Sequence, residues 1–346
     1  MGNKPSIRHY FAEGITNRGY ISLLPNKMTE WERTYVLMGG PGTGKSTLIK
    51  MVGLELLDRG YEIDFLRSAR DPDSIAGLIV RRFNISMLDL YEIAPLRWRA
   101  PGVVENFVDL SNLCDLRKLD KHRQRILELD KQMMQNYKMT GEVLAEEFGE
   151  RVREKPYLNR ESRETVRPWL NNLYSSGLFK EAQGPWPKAQ DALRKLQKSD
   201  INSFFLHGMD CEGWLNLAPH YLTEYDQIRL DGEDTSDAMD WVLHEAEQLG
   251  QVIDIVLHPL YPDEILGIAF PERNLAIWKG NPESLEEQGL GCSFSVKLKE
   301  TLVQAQNLRG LLKAIYMDVI DFDQVDKLRN ELLNSILRDS DMKKIT

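Results

Sequence analysis

The sequence predicts an α/β protein built from two similar units in tandem, each with a mainly parallel sheet and each followed by a helical hairpin. Three observations lead to this prediction. A strand, a glycine-rich loop and a helix follow one another near the N-terminus, a later stretch repeats much of that pattern, and charged helical runs follow both copies. Alternating strands and helices are typical of parallel α/β sheets.

Length and composition fit a folded protein of two domains. The chain has 346 residues, of which 42% are hydrophobic and 28% are charged, and domains commonly contain roughly 150 residues. The formal net charge is −9. This charge argues against a general nucleic-acid binder, because such proteins neutralise phosphates with basic residues.

The cysteines and the hydropathy pattern favour the cytoplasm. Cys114, Cys211 and Cys292 are far apart and form no C-x-x-C pair, so we expect free thiols in a reducing compartment. No apolar run approaches the ~20 residues of a membrane helix, and no signal peptide is evident. We therefore expect no membrane association.

The N-terminal unit begins with a strand at residues 34–38 that leads into a glycine-rich loop. A helix is expected at residues 46–58, with Gly60 placed to end it. Further strands are expected at residues 61–67 and 84–88. This order of elements is the start of a parallel α/β sheet.

The loop satisfies the pattern G-x-x-x-x-G-K-[ST] between a strand and a helix, the context in which this pattern binds a nucleoside triphosphate. Glycines let backbone N–H groups surround phosphates, and the helix start adds a positive dipole. Lys45 would bind the β- and γ-phosphates, and Ser46 would bind Mg²⁺. We therefore expect a three-layer P-loop NTPase-like unit that binds ATP and Mg²⁺. The predicted nucleotide-binding residues are Gly39, Gly40, Pro41, Gly42, Thr43, Gly44, Lys45, Ser46 and Thr47.

A magnesium site also needs an acid at the end of a neighbouring strand. Asp89 follows the apolar run at residues 84–88 and is our first candidate. We predict Lys45 and Asp89 as catalytic residues, and Ser46 and Asp89 as the metal ligands. Asp71 is an alternative acid. Asp73 has a counterpart in the second unit, which favours a role in the fold as the cap of a helix starting near Ser74.

Hydrolysis requires a group that orients water and commonly a cation that stabilises the γ-phosphate. Glu92 is the carboxylate nearest to Asp89 along the chain and is a candidate for the first role. Four arginines in this part of the chain are candidates for the second role, and the sequence does not choose among them: Arg67, Arg70, Arg81 and Arg82.

A later stretch resembles the first unit. Gly208 and Gly213 keep the spacing of Gly39 and Gly44 in the loop, and residues 251–279 align without a gap on residues 61–89. We interpret this as a tandem duplication. The alignment places Trp214 at the position of Lys45 and Leu215 at the position of Ser46. It also places Lys279 at the position of Asp89. The second unit should therefore be a degenerate copy that serves as a scaffold or regulatory part.

These patterns predict three segments. Residues 1–153 would form the active unit, with a helical hairpin at about 112–153. Residues 154–186, which contain several prolines and glycines, would connect the units. Residues 187–346 would form the degenerate unit, with C-terminal helices at about 296–340. The hairpins could bind a partner protein, although docked amphipathic helices are more common, and the chain could form an oligomer.

Several of these residues carry a family resemblance. They are Arg8-His9-Tyr10-Phe11-Ala12 with Thr16 and Gly19, the glycine loop through Thr47, Asp71-Pro72-Asp73-Ser74, and Asp89 followed by Ala94-Pro95 and Pro101-Gly102. The chain resembles a little-characterised family of tandem P-loop ATPase-like proteins from spore-forming Gram-positive bacteria. The resemblance implies a P-loop NTPase fold and a cytosolic location. The chain departs from the family at Leu96, where a histidine is usual, and at Trp214 and Leu215, where the second loop is often intact.

Three functions remain open. The first is an Mg²⁺-dependent ATPase with a single site, the second is a small-molecule kinase, and the third is a nucleotide sensor without hydrolysis. Arg97-Trp98-Arg99 could belong to a kinase lid. Guanine specificity has no support, because Asn26-Lys27-Met28-Thr29 lacks the aspartate of N-K-x-D and lies before the loop.

Overall fold

The computed structural model describes residues 6–149, 201–232, 235–248 and 250–342, and these divide into two compact units. The first unit contains the described residues up to Glu147, together with Gly208–Leu215 and the described residues from Phe294 onward. The second unit contains the described residues of Phe148–His207 and Asn216–Ser293. None of the helices in the described ranges combines the length and apolar composition that crossing a bilayer demands.

Fifteen strands occur in the described residues. They are β1 Ile7–Phe11, β2 Glu13–Thr16, β3 Gly19–Ser22, β4 Arg33–Met38, β5 Ile63–Arg67, β6 Ile75–Val80, β7 Ile85–Asp89, β8 Glu105–Asp109, β9 Ile201–Phe204, β10 His207–Met209, β11 Trp214–Asn216, β12 Asp226–Leu230, β13 Ile253–Leu257, β14 Ile265–Phe270 and β15 Leu275–Lys279. The helices are α1 Leu24–Met28, α2 Lys45–Asp58, α3 Leu116–Lys121, α4 Arg123–Phe148, α5 Ala218–Tyr221, α6 Thr235–Gln248, α7 Val296–Met317 and α8 Phe322–Met342.

The first unit is built on a six-stranded sheet with the order β1-β5-β6-β7-β4-β8. Strands β1 and β5, β4 and β7, and β4 and β8 pair in parallel, whereas β6 is antiparallel to both of its neighbours. The predicted strands and the helix after the loop are confirmed as β4, α2, β5 and β7. The prediction of a mainly parallel sheet is corrected to a mixed sheet.

Strand β6 is the source of this difference. The sequence predicted a helix starting near Ser74, but Ile75–Val80 is a strand whose six residues are all buried. Short connections join β5 to β6 and β6 to β7, and short loops join antiparallel strands, since a parallel pair needs a crossover. The turn before β7 places Asn84 in the left-handed region at φ 51°.

The apolar core of the first unit lies between its sheet and two helices. Helix α2 packs on β5, β6 and β7, and α8 packs on α2. Gly53 lets α2 approach the sheet closely, because a Cβ there would lie 2.4 Å from the Phe65 ring. Leu332, Leu333 and Ile336 of α8 belong to the same buried cluster as Ile49 and Val52 of α2. The C-terminal helix therefore completes the first core.

Helices α4 and α7 pack against each other in the same unit. Leu129 and Met133 of α4 form a buried cluster with Leu308 and Leu312 of α7, and further along α4 the Asn136 amide donates a 3.0 Å hydrogen bond to the Gln304 side chain of α7. Each helix therefore covers the apolar stripe of the other.

This arrangement corrects the predicted domain plan. The helices at about 296–340 were expected to follow the second unit as its hairpin, yet they pack on the first unit because their apolar faces match α2 and α4. The helical run at about 112–153 forms α3 and α4 rather than a hairpin of its own. The predicted connection at residues 154–186 lies outside the described residues.

The second unit has a five-stranded sheet with the order β12-β15-β14-β13-β9. This order matches β4-β7-β6-β5-β1 of the first unit, with the same parallel and antiparallel pairings. Helix α6 follows β12 and packs on β14, as α2 follows β4 and packs on β6. The two units therefore repeat one topology.

The strand registers identify which residues correspond between the units. Ile63 pairs with Ile7, and Ile253 pairs with Ile201, so β9 corresponds to β1. The hairpin of β10 and β11 that follows β9 then corresponds to the hairpin of β2 and β3. Gly208 and Gly213 match Gly14 and Gly19 in this order. Their predicted match to Gly39 and Gly44 was wrong, because equal glycine spacing occurs in both places.

Candidate nucleotide site

The glycine-rich loop connects β4 to α2 at the edge of the sheet where the parallel strands end. Gly39, Gly42 and Gly44 have φ angles of 136°, 88° and 85°. Residues with side chains seldom adopt such angles, so glycine is needed at these positions. Gly44 is the N-cap of α2, and the first-turn N–H groups of a helix lack partners within the helix. The loop and the helix start therefore present backbone donors together.

Lys45 and Asp89 face each other beside this loop. The Lys45 ammonium donates to the carbonyl oxygens of Gly39 and Gly40, both at 2.7 Å, and lies 3.6 Å from Asp89 Oδ1. Asp89 ends β7, and the β4–β7 register pairs it with Leu37 just before the loop. Both charged side chains are almost completely buried. The structure thus brings together the two residues that the sequence predicts as catalytic.

Burial perturbs both groups. Desolvation lowers the pKa of Lys45, while the neighbouring Asp89 acts in the opposite direction. Desolvation also raises the pKa of Asp89, and its nearest counter-charge is Lys45. An anionic ligand at the loop would favour the charged form of Lys45, because opposite charges stabilise each other strongly in a dry environment.

Ser46 and Thr43 lie on either side of Lys45. The Ser46 hydroxyl is 2.8 Å from the Ser74 hydroxyl, which lies just before β6. Thr43 donates a 2.8 Å hydrogen bond to the Gly40 carbonyl and accepts one from Lys45 at 3.3 Å. Sequence reasoning treated Ser74 only as the start of a helix, so its position beside the proposed metal ligand Ser46 was missed.

Helix α7 and the start of α8 cover the loop. A Cβ on Gly40 would lie 2.1 Å from the Tyr316 ring, and a Cβ on Gly42 would lie 2.5 Å from the Lys313 carbonyl. Phe322 and Val325 lie near Gly44. The loop glycines therefore serve packing as well as backbone conformation.

A cavity of about 270 Å³ lies between the loop and α7. Its lining residues come from the loop, from the strand ends and from the C-terminal helices. They are Pro41, Gly42, Gly44, Lys45, Ser46, Thr47, Ser74, Asp89, Glu92, Arg309, Lys313, Met317 and Phe322. The predicted residues Gly39, Gly40 and Thr43 do not line it, but they hold Lys45 by hydrogen bonds.

An ion-pair network lies at the wall of this cavity that α7 forms. Arg309 of α7 donates through Nε to Asp71 at 3.0 Å and through Nη2 to Glu92. Lys313 donates to the same Asp71 oxygen at 2.9 Å, and the Ser68 hydroxyl donates to Glu92 at 2.7 Å. Asp71 and Glu92, both singled out from the sequence, thus form ion pairs with the same guanidinium, that of Arg309. Burial alone would lower the pKa of Arg309, but Glu92 and Asp71 raise it.

Sequence reasoning missed Arg309 and Lys313. Both lie more than 200 residues beyond Asp71 and Glu92, and no motif marks them. One sequence feature could have indicated Arg309: it lies beside Leu308 on the apolar face of a predicted helix. A cation buried on such a face requires an acidic partner.

The four arginines considered from the sequence have other contacts. Arg81 pairs with Asp64 and Glu62, and Arg67 donates to backbone carbonyls of the β5–β6 turn. Arg70 donates to the Tyr91 carbonyl, and Arg82 lies over the Phe83 ring. These arginines are not among the residues that line the cavity.

The corresponding place in the second unit has different chemistry. Leu230 pairs with Lys279 as Leu37 pairs with Asp89, so the predicted match of Lys279 to Asp89 is confirmed. Helix α6 begins at Thr235, as α2 begins at Lys45. Lys279 donates to the Ser236 hydroxyl at 3.3 Å. Trp214 and Leu215 lie in β11 and are not the counterparts of Lys45 and Ser46 that the sequence alignment suggested.

Comparisons with known protein families, with curated proteins and with solved structures give no match for this chain. Within the described ranges, no group of three or more His, Cys, Asp or Glu side chains is placed to hold a metal ion. Ser46 and Asp89 both line the cavity, and Mg²⁺ is usually held by one or two protein oxygens together with phosphates and water.

Proposed function

We propose that the first unit is a P-loop NTPase-like unit that binds one ATP with Mg²⁺ and hydrolyses it, and that the chain is a tandem pair of such units with a single working site. The observation that carries the proposal is the buried pair of Lys45 and Asp89, 3.6 Å apart beside a glycine-rich loop at a helix start. The cytoplasmic location expected from three free cysteines belongs to the same proposal.

Each residue has a role in this function. Loop N–H groups and Lys45 would bind the β- and γ-phosphates, with the ammonium exchanging the Gly39 and Gly40 carbonyls for phosphate oxygens. Ser46 and Asp89 would hold Mg²⁺. The bound ion would neutralise part of the charge that develops on the β–γ bridge. Ser46 lines the cavity, and its hydroxyl would exchange the 2.8 Å contact with Ser74 for the metal ion.

Hydrolysis then requires a water aligned with the γ-phosphorus. The water oxygen forms a bond to phosphorus while the bond to the bridging oxygen breaks, and ADP leaves with that electron pair. Glu92 lines the cavity, and in this proposal it would orient the water and accept its proton. The products are ADP, inorganic phosphate and the released proton.

The second unit would be a degenerate copy without nucleotide chemistry. Lys279 places a cation at the strand end where the first unit has Asp89, and it donates to Ser236. A fixed cation there would repel Mg²⁺. We propose a scaffold or regulatory role for this unit.

The test measures phosphate release from γ-labelled ATP by the purified full-length chain, with Mg²⁺ and with EDTA. We expect release that requires Mg²⁺ and falls at least about 100-fold in Asp89→Asn. Asp58→Asn, an exposed acid at the end of α2, is the matched control and should retain activity. Label transfer only when a metabolite is added would favour the kinase alternative. Tight binding without turnover would favour the sensor.

A further inference from the structure

We propose that Arg309 is the residue that distinguishes a nucleoside triphosphate from a diphosphate: it exchanges its ion pairs with Glu92 and Asp71 for the γ-phosphate. This inference rests on the proposed function. Arg309 lies on α7, lines the same cavity as Lys45 and Ser46, and is only 4% exposed. Its Nη1 atom is buried, and the Tyr137 hydroxyl also interacts with the guanidinium. The guanidinium is therefore a buried cation at the wall of the cavity that Lys45 and Ser46 also line.

The guanidinium is the better of the two α7 cations for this role. Its planar fork matches two phosphate oxygens, whereas an ammonium acts as a point charge. Lys313 is also more solvated, with a side chain that is 39% exposed compared with 4% for Arg309. A triphosphate brings more negative charge to the loop than a diphosphate, so it would compete more strongly for Arg309.

Both acids keep a partner when Arg309 leaves. Lys313 already donates to the Asp71 oxygen that Arg309 uses. Ser68 already donates to the second oxygen of Glu92. After the exchange Asp71 would keep Lys313 as its counter-charge, and Glu92 would keep the hydrogen bond from the Ser68 hydroxyl.

The exchange would also release the carboxylate that hydrolysis uses. While Arg309 donates to Glu92, that carboxylate is engaged in an ion pair. When Arg309 binds the γ-phosphate, Glu92 becomes available to a water in the same cavity. A bound triphosphate would therefore break the Arg309–Glu92 ion pair, whereas a diphosphate would leave it intact. Helix α7 would respond to the bound triphosphate, because it carries Arg309 and packs on the loop through Tyr316.

The experiment compares ATP and ADP affinities, measured by calorimetry with Mg²⁺, and phosphate release in wild type and Arg309→Lys. We expect Arg309→Lys to bind ADP within about threefold of wild type and to lose at least tenfold of the ATP-over-ADP preference. Turnover should fall about 10³-fold, as expected for loss of a γ-phosphate arginine. Lys299→Gln, an exposed residue of the same helix, should match wild type in each measurement.

A second variant separates nucleotide recognition from a merely structural ion pair. Arg309→Gln with Glu92→Gln removes both charges of this buried pair together, and Asp71 keeps Lys313 as its counter-charge. If Arg309 only supported the fold, this double variant would recover the wild-type ATP-over-ADP preference, and that recovery would overturn the proposal. The proposal expects the preference to stay lost. Wild-type preference and turnover in Arg309→Lys would also overturn it. Failure of wild type to bind any nucleotide would overturn both this inference and the proposed function.

Discussion

The ring of Tyr316 packs directly on the Cα of Gly40, so that a Cβ added to Gly40 would stand 2.1 Å from the ring. Helix α7 therefore packs on the glycine-rich loop, although the two are far apart in the sequence. The phosphate loop is one wall of a cavity whose other wall, α7, brings the cations Arg309 and Lys313.

Gly40→Ala should destabilise the first unit. We expect a loss of about 1–3 kcal/mol in the free energy of unfolding, as for other overpacked sites, measured by urea denaturation. In a Tyr316→Ala background the same change should cost less than about 1 kcal/mol, because the clashing ring is gone. Gly310→Ala is the control: nothing lies within 4 Å of its Cβ, so this change in α7 should stabilise by up to about 1 kcal/mol. An equal cost of Gly40→Ala with and without the ring would contradict the packing.

Arg8→Ala should destabilise the first unit through Asp64. Arg8 Nε and Nη2 each donate to Asp64 at 2.8 Å, and Asp64 is 2% exposed. Burial alone would raise the pKa of Asp64, but Arg8 and Arg81 hold it below its usual value. Arg81 remains 3.1 Å from Asp64 after the change, so we expect a loss of about 2 kcal/mol, as for a hydrogen bond to a charged group. The comparison is Arg59→Ala, whose exposed i,i+4 pair with Glu55 should contribute less than about 0.5 kcal/mol. Similar urea midpoints for the two variants would be inconsistent with this account.

His207 should make the stability of the second unit depend on pH. Burial lowers the pKa of His207 to about 3, whereas an unfolded histidine titrates near about 6.5. The unfolded chain therefore takes up a proton first as the pH falls, and stability present above about pH 6.5 is lost progressively towards pH 3. By pH 5 the loss should be about 2 kcal/mol.

The measurement compares urea unfolding at pH 7 and pH 5 in wild type, His207→Gln and His122→Gln. Other groups titrate in the same range, so the informative quantity is the difference between variants. His207→Gln should lose less stability on acidification than wild type, while the exposed His122→Gln should follow wild type. Identical pH dependence in all three proteins would show that His207 does not contribute.

Lys279 provides a test of the single-site proposal. Asp89→Asn removes the proposed metal ligand of the first unit, whereas Lys279→Met removes the corresponding cation of the second. We expect Lys279→Met to keep ATP turnover within about twofold of wild type, compared with a fall of at least about 100-fold in Asp89→Asn. A large loss of turnover in Lys279→Met would require a direct role for the second unit in the chemistry.

Local signals predicted the elements next to the glycine-rich loop. The strand before the loop, the helix after it and the strand ending in Asp89 are each marked by a short apolar run next to glycine or a charged residue, and β4, α2 and β7 confirm them. The Lys45–Asp89 pair followed from those elements, because the C-terminal ends of neighbouring parallel strands meet at one edge of a sheet. β6 was missed because six consecutive buried apolar residues have no period that separates strand from helix.

Long-range packing could not be predicted. Arg309 reaches Glu92 across 217 positions of the chain, and nothing in either segment specifies the other. The C-terminal helices looked like part of the second unit because they follow it in sequence, but their apolar faces match α2 and α4. Gly208 and Gly213 were matched to the wrong glycines, because their spacing also occurs in the glycine-rich loop. Only the strand registers show that they correspond to the glycines of the β2–β3 hairpin. A partner protein bound by the helices stays a prediction.

The most direct test of the central claim is calorimetric titration of ATP with Mg²⁺ into wild type, Lys45→Ala and Lys50→Ala. Lys50 is an exposed lysine of the same helix, so it controls for charge and helix composition. We predict one ATP bound per chain in wild type and Lys50→Ala, and no measurable binding in Lys45→Ala. Wild-type binding by Lys45→Ala, or two ATP molecules per chain, would contradict a single nucleotide site at the Gly39–Lys45 loop.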